Sequence, residues 1–131
     1  MFKTDIEFKK GVLFIRVSGI LDKTNSIKLK KEIIPLILKN GFKYVVLNLN
    51  QVNLIDEDGI KAIDEINDAV LKFNGKTTLI DGKKIEKKIK GTIIDNILYK
   101  VRNERIALGI FELWKKIFGS WLKKIKIWYI K

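Results

Sequence analysis

The densest group of chemistry-bearing side chains lies in Leu54-Ile55-Asp56-Glu57-Asp58-Gly59-Ile60, where three consecutive carboxylates precede a glycine. Such a run can cap a helix, favour its positive amino-terminal pole, or bind a cation. Spacing disfavours the cation: an EF-hand calcium loop needs Asp or Asn at alternating positions before its glycine, and Leu54 occupies the first. Asp56 or Asp58 suits an N-cap, and acids in a first helical turn stabilise it by about 0.3–1 kcal/mol each. Gly59 either lets a second backbone approach closely or adopts a positive φ. Elsewhere the groups of ordinary catalysis are missing. The chain has no Cys and no His, and Ser18, Ser26 and Ser120 therefore have no imidazole to activate them. A non-enzymatic protein with no cofactor and no metal is expected.

The elements that must position this acidic stretch follow from periodicity. Asp5–Phe8 alternates, Lys10-Gly11 reads as a turn, and Val12–Val17 is a β-branched strand that pairs with the first. Gly19-Ile20-Leu21-Asp22 leads out of it, with Asp22 in place to start the following helix. Thr24 or Ser26 is expected to cap a helix carrying Ile27, Leu29, Ile33, Ile34, Ile37 and Leu38, with Asn40-Gly41 as its stop. Pro35 falls inside that pattern and is expected to kink or shorten it. Tyr44–Leu49 is apolar almost throughout, as a strand covered on both faces is. Ile60, Ile63, Ile66, Ala69, Val70 and Phe73 then make one face of an amphipathic helix that starts at the acidic run. Thr77–Ile80 is a further strand, and Asp81 is placed to cap a short helix with Ile85 and Ile89 inward. Leu98–Arg102 reads as a last core strand, followed by a helix from about Asn103 to Phe118. Strands alternating with helices predict one α/β domain.

Length and charge bound the rest. A chain of 131 residues, 47% of them hydrophobic, buries a core as one domain and is too apolar to stay disordered. The formal net charge of +12 is unevenly spread. Residues 82–131 hold 14 basic and 4 acidic side chains, whereas residues 54–69 hold six acids and only Lys61. The longest uncharged stretch, Tyr44–Ile55, is too short to span a bilayer, and no secretory leader is recognisable, so a cytoplasmic location is expected.

With those residues in place, the sequence resembles the STAS domains of bacterial anti-sigma factor antagonists from about Ile6 to Phe111. The resemblance rests on Gly19-Ile20-Leu21-Asp22, on Val45-Val46-Leu47-Asn48-Leu49, and above all on Leu54–Ile60. It implies a mixed β-sheet covered by α-helices in a single domain over residues 1–112. It also implies a partner, an anti-sigma factor or related ATPase-fold kinase, bound through Asp22, Thr24, Asn25, Asp56, Glu57, Asp58, Gly59, Ile60 and Lys61. In that family the first Ser/Thr after the Asp is phosphorylated by the kinase partner, and the modification releases it. Here Glu57 occupies the phosphoacceptor-equivalent position and Asp58 follows, so no hydroxyl is present to modify. Two readings stay open: a permanent partial mimic of phosphoserine, which carries about −1.5 to −2 charges against one for glutamate, or a partner that accepts an acidic loop.

Beyond the resemblance, residues 113–131 form a basic aromatic extension that contains all three tryptophans. Trp114, Phe118, Trp121, Trp128 and Tyr129 are the candidates for contact with the domain, with a second subunit or with an anionic membrane surface; Lys124–Ile130 could also pair as an extra strand. Lysines interleaved with aromatic rings also suit single-stranded nucleic acid, which is the less favoured partner.

Overall fold

The computed structural model describes the backbone of residues 1–130 and the side chains of residues 1–117. Its elements run β1 (Lys3–Lys9), β2 (Val12–Leu21), α1 (Lys23–Asn40), β3 (Tyr44–Ile55) and α2 (Glu57–Leu71). They continue as β4 (Lys76–Ile80), α3 (Gly82–Ile89), α4 (Ile93–Ile97), β5 (Tyr99–Lys100) and α5 (Glu104–Ile130). The five strands form one mixed sheet in the order β1-β2-β3-β4-β5. β1 and β2 are antiparallel, and every later pair is parallel. The hairpin closes through Lys10 and Gly11, both at positive φ (53° and 77°), the two-residue turn whose twist matches its strands.

The sheet carries a core on each face. On one, Leu13, Ile15 and Val17 of β2 and Val45, Leu47 and Leu49 of β3 pack with Leu29, Ile33 and Ile37 of α1 and Ile63, Ile66 and Val70 of α2. Ile85 and Ile89 of α3 join the same core, as expected from their spacing. On the other, Val12, Phe14, Val46, Ile80 and Val101 meet Ala107 and Phe111 of α5. With both faces covered, β3 is the central strand its apolar run predicts.

A polar cluster fastens the start of α5 to that second face. The Arg16 guanidinium donates to both carboxylate oxygens of Glu104 (2.7 and 2.8 Å), to Asp5 (2.8 Å) and to Glu7 (2.8 Å). Asn48 Nδ2 donates to Glu104 as well (2.9 Å). The hydrogen bond from Arg16 is the main reason the Glu104 carboxyl titrates below the ordinary glutamate range.

Several local expectations are corrected. α1 is capped by Asp22 rather than Thr24 or Ser26: the Asp22 carboxylate accepts from Asn25 N–H (2.9 Å), while Ser26 is buried one turn on. Pro35 does not shorten α1, which runs unbroken to Asn40. Lys31, whose carbonyl loses its helical donor there, and Pro35 are both exposed, so water can satisfy that group. Of the apolar residues that the helix carries, Ile27 and Leu38 are 43% and 40% exposed. Asp81 stands at the start of α3 but makes no side-chain cap bond. The last strand is two exposed residues, because Ile93–Ile97 forms a helical turn and only the flanking Leu98 and Val101 point into the cores. Lys124–Ile130 is helical, not a strand, since the three-and-four spacing of its large apolar residues outweighs the short alternation at Lys124–Ile127.

The Arg16–Glu104 contact has a pH signature. A carboxyl held below its unfolded pKa adds stability that is complete above the unfolded value and is lost as pH falls through the folded one. Glu104→Gln is expected to lower unfolding free energy by about 1–2 kcal/mol at neutral pH. Denaturant titrations between neutral pH and the acid range should then show a shallower acid slope for the variant than for wild type.

Candidate partner-binding site

The acidic stretch opens α2 at the carboxyl end of β3, beside the carboxyl end of β2. The bond from Asp56 N–H to the Leu21 carbonyl (3.2 Å) ties the two loops together. Gly59 follows within the first turn of α2 and lies against the same carbonyl. A Cβ at Gly59 would sit 2.5 Å from Leu21 O and 2.7 Å from Ile55 Cγ1. Its φ is not positive, so close backbone approach is the reason for glycine here. Gly19 does need its positive φ of 94°: it lies at a register break between β2 and β3, where a Cβ would collide with the Met1 carbonyl oxygen.

Two helix amino termini therefore stand side by side, each capped by an aspartate. Asp22 accepts from Asn25 N–H, and Asp56 accepts from Gly59 N–H (3.0 Å). The Asn25 amide donates to Ile20 O (2.8 Å) and locks the turn between β2 and α1. Of the nine residues assigned to this face, Asp22, Asn25, Asp56 and Gly59 thus hold its shape. Ile60 is buried in the core under it (8% exposed). Thr24, Glu57 and Lys61 are exposed and Asp58 is half-buried. α2 begins with the acids Glu57 and Asp58 over its amide pole, whereas α1 has no acid in its first turn.

Sequence reasoning missed two members of this surface. Ile20 and Leu54 are register partners on adjacent strands, so they lie on one face of the sheet, beside the loops. They are 39% and 62% exposed, an apolar pair next to acids. The signal was present in the sequence as apolar residues at the two strand ends, yet the same pattern reads as core until the register breaks at Gly19/Ile20 turn them outward. Trp114 packs edge-on to Phe111 (ring centroids 5.4 Å apart) and Tyr99 (6.0 Å), on its own domain. Phe118, Trp121, Trp128 and Tyr129 lie outside the described side chains. Among the described residues, no three carboxylates converge as a metal site would require, and no helix is long and apolar enough to cross a membrane.

This architecture is that of a known family. The STAS domain family model matches residues 3–105, and the chain belongs to that family. Among solved structures it is similar to a putative anti-sigma factor antagonist from Thermotoga maritima, at 20% identity and a TM-score of 0.74, covering 81% of this chain and 92% of that one. An anti-sigma factor antagonist from Mycobacterium paratuberculosis gives 21% identity and a TM-score of 0.72, over 84% and 93% of the two chains. The Bacillus cell-fate determinant SpoIIAA in its phosphorylated form gives 15% and 0.63, over 85% and 99%. The fold is thus that of the anti-sigma factor antagonists.

Substitutions should separate the residues that hold this surface from those it displays. Gly59→Ala is expected to cost about 1–3 kcal/mol through overpacking against Leu21, and Asp56→Ala about 1 kcal/mol through the lost cap. Glu57→Ala should cost the least, about 0.3–1 kcal/mol through the lost interaction with the helix pole. Chemical denaturation of the three variants checks the order.

Proposed function

We propose that this chain is a non-enzymatic regulator that binds an anti-sigma factor, or a related ATPase-fold kinase, and thereby controls the availability of a sigma factor. The observation that carries the reading is the joined pair of loops within the STAS fold, which display Glu57 beside exposed Ile20 and Leu54. An apolar pair flanked by charge is the composition of a protein interface: the apolar side chains supply burial, and the charges set orientation and partner choice. Thr24, Asp58 and Lys61 complete the displayed surface, with Asp22, Asn25, Asp56 and Gly59 fixing its backbone.

The position that carries the family's phosphate-accepting hydroxyl is here Glu57. Its carboxylate makes no hydrogen bond or ion pair among the described residues, because Asp56 already caps α2. The glutamate is therefore free to meet a partner, and with Asp58 replacing the second hydroxyl the acidic loop is the working surface. Its partner binds without a phosphorylation switch on this chain.

Pull-down of tagged protein from source-cell lysate at moderate salt, with mass spectrometric identification, tests this. Wild type and Glu57→Ser are both expected to retain the same ATPase-fold protein. Ile20→Lys with Leu54→Lys should weaken that binding at least about tenfold, as loss of a central apolar anchor does. Retention by Glu57→Ser alone would mean that wild type is held in a phosphorylated-like state. Retention by neither would overturn the proposed function.

A further inference from the structure

The opposite end of the domain holds a second feature. An apolar groove of about 910 Å³ runs between α2, the start of β4, α4, β5 and α5. Leu71, Ile93, Ile97, Tyr99, Trp114 and Ile117 line it, and all but Trp114 are 48–59% exposed. Its α2 rim carries Asp64 and Asp68, neither of which has an ion-pair partner among the described residues; Lys76 is the basic residue of the lining. The Asp64 carboxyl is pushed above its ordinary range, first by desolvation and then by Asp68 and Glu65, so a cation brought to this rim would relieve a local repulsion.

The same chain contains a segment of matching chemistry. α5 is 27 residues, a rod about 40 Å long. The residues of α5 that pack on the domain's own core are Ala107, Leu108, Ile110, Phe111 and Trp114. Past Ile117 the helical backbone continues to Ile130, and Phe118, Trp121, Leu122, Ile125, Trp128 and Tyr129 recur at three- and four-residue intervals, which place them on one helical face. Residues 113–131 hold six lysines and no acid.

We propose that the groove is the docking site for the carboxyl-terminal half of α5 from a second copy of this chain, each copy offering its helix to the other's groove. The aromatic face fills the apolar groove, and Lys124 and Lys126, which flank that face, bring positive charge to the Asp64–Asp68 rim. A fully buried aromatic side chain removes about 150–250 Å² from water. Four of them, Phe118, Trp121, Trp128 and Tyr129, reach the roughly 800 Å² per partner of a standard interface. Two of these helices packed only on each other would juxtapose lysines, and an anionic lipid surface would meet Asp64 and Asp68 at the groove. A second copy of the groove satisfies both the apolar and the charged groups. The arrangement leaves Glu57 and the Ile20–Leu54 pair free, since they lie at the carboxyl ends of the parallel strands and the groove at their amino ends.

Light scattering on size-exclusion fractions of the full chain, over a range of concentrations, tests the proposal. Wild type is expected to be dimeric at micromolar concentration. Asp64→Lys with Asp68→Lys should weaken dimerisation at least about tenfold, as should Lys124→Glu with Lys126→Glu, each keeping a cooperative circular dichroism melt. Combining the two pairs should restore the dimer, whereas Glu57→Ser should leave it unaffected. A wild type that stays monomeric at every concentration overturns the proposal. So does a combined variant that dimerises no better than either pair alone. Monomeric wild type that co-sediments with phosphatidylglycerol vesicles would assign the aromatic face of α5 to a lipid surface instead.

Discussion

The displayed end of the domain depends on one contact, that of Gly59 with the Leu21 carbonyl. A side chain at position 59 would bring a Cβ within 2.5 Å of that oxygen, so α2 can begin where it does only with glycine there. The same carbonyl accepts from Asp56 N–H, which fixes the end of β2 to the start of α2. A single backbone oxygen thereby sets the spacing between two helix amino termini whose caps, Asp22 and Asp56, are engaged locally. Capping costs this surface little mobility of its own, because each cap bonds within three residues of itself. What the contact secures is relative placement: Thr24, Glu57 and Lys61 come from elements some 30 residues apart in the chain yet share one surface.

The two faces of the sheet solve different problems. Four helices bury the first face with aliphatic side chains, a non-directional arrangement that tolerates exchanges which conserve volume. The second face is covered by α5 alone, and its central part carries Arg16 and Asn48 rather than apolar residues. Burying those groups is favourable only with partners, and Glu104 provides them at the first residue of α5. The ionic cluster thus specifies where α5 lands, and Ala107 and Phe111 supply the apolar burial that holds it there. From that fixed start the helix must leave the sheet near the Lys10-Gly11 turn, where Lys115 donates to the Lys10 carbonyl (2.9 Å).

Much of this was legible in the sequence, and what was not has identifiable causes. The strand and helix order, the central position of β3 and the apolar face of α2 follow directly from period and composition, because tertiary packing here agrees with local pattern. The acidic run announced both a cap and a helix start at Asp56. Ser26 failed as a cap because it faces the core, and capping strength at Asp22 is indistinguishable from that at Thr24 by composition alone. The exposed pair Ile20 and Leu54 was hidden, since apolar residues in strand context point inward unless the register breaks, and a break depends on the neighbouring strand. Pro35 misled for a related reason: water can take up the carbonyl it frees on the exposed face, and burial of Leu29, Ile33 and Ile37 outweighs the remaining penalty of the ring.

A charge in place of a hydroxyl at Glu57 carries a structural consequence independent of any partner. An acid at the first position of a helix favours the amide pole whether or not it accepts a hydrogen bond, so Glu57 and Asp58 stabilise α2 continuously, by about 0.3–1 kcal/mol each. A phosphorylatable residue would supply that stabilisation only in its modified state. The amino-terminal end of α2 is therefore held permanently in the more strongly compensated of the two electrostatic conditions. On the proposed reading, regulation of this chain moves away from the loop. Control must then act on the partner, on the amount of protein, or on the opposite end of the domain, where α5 borders an apolar groove.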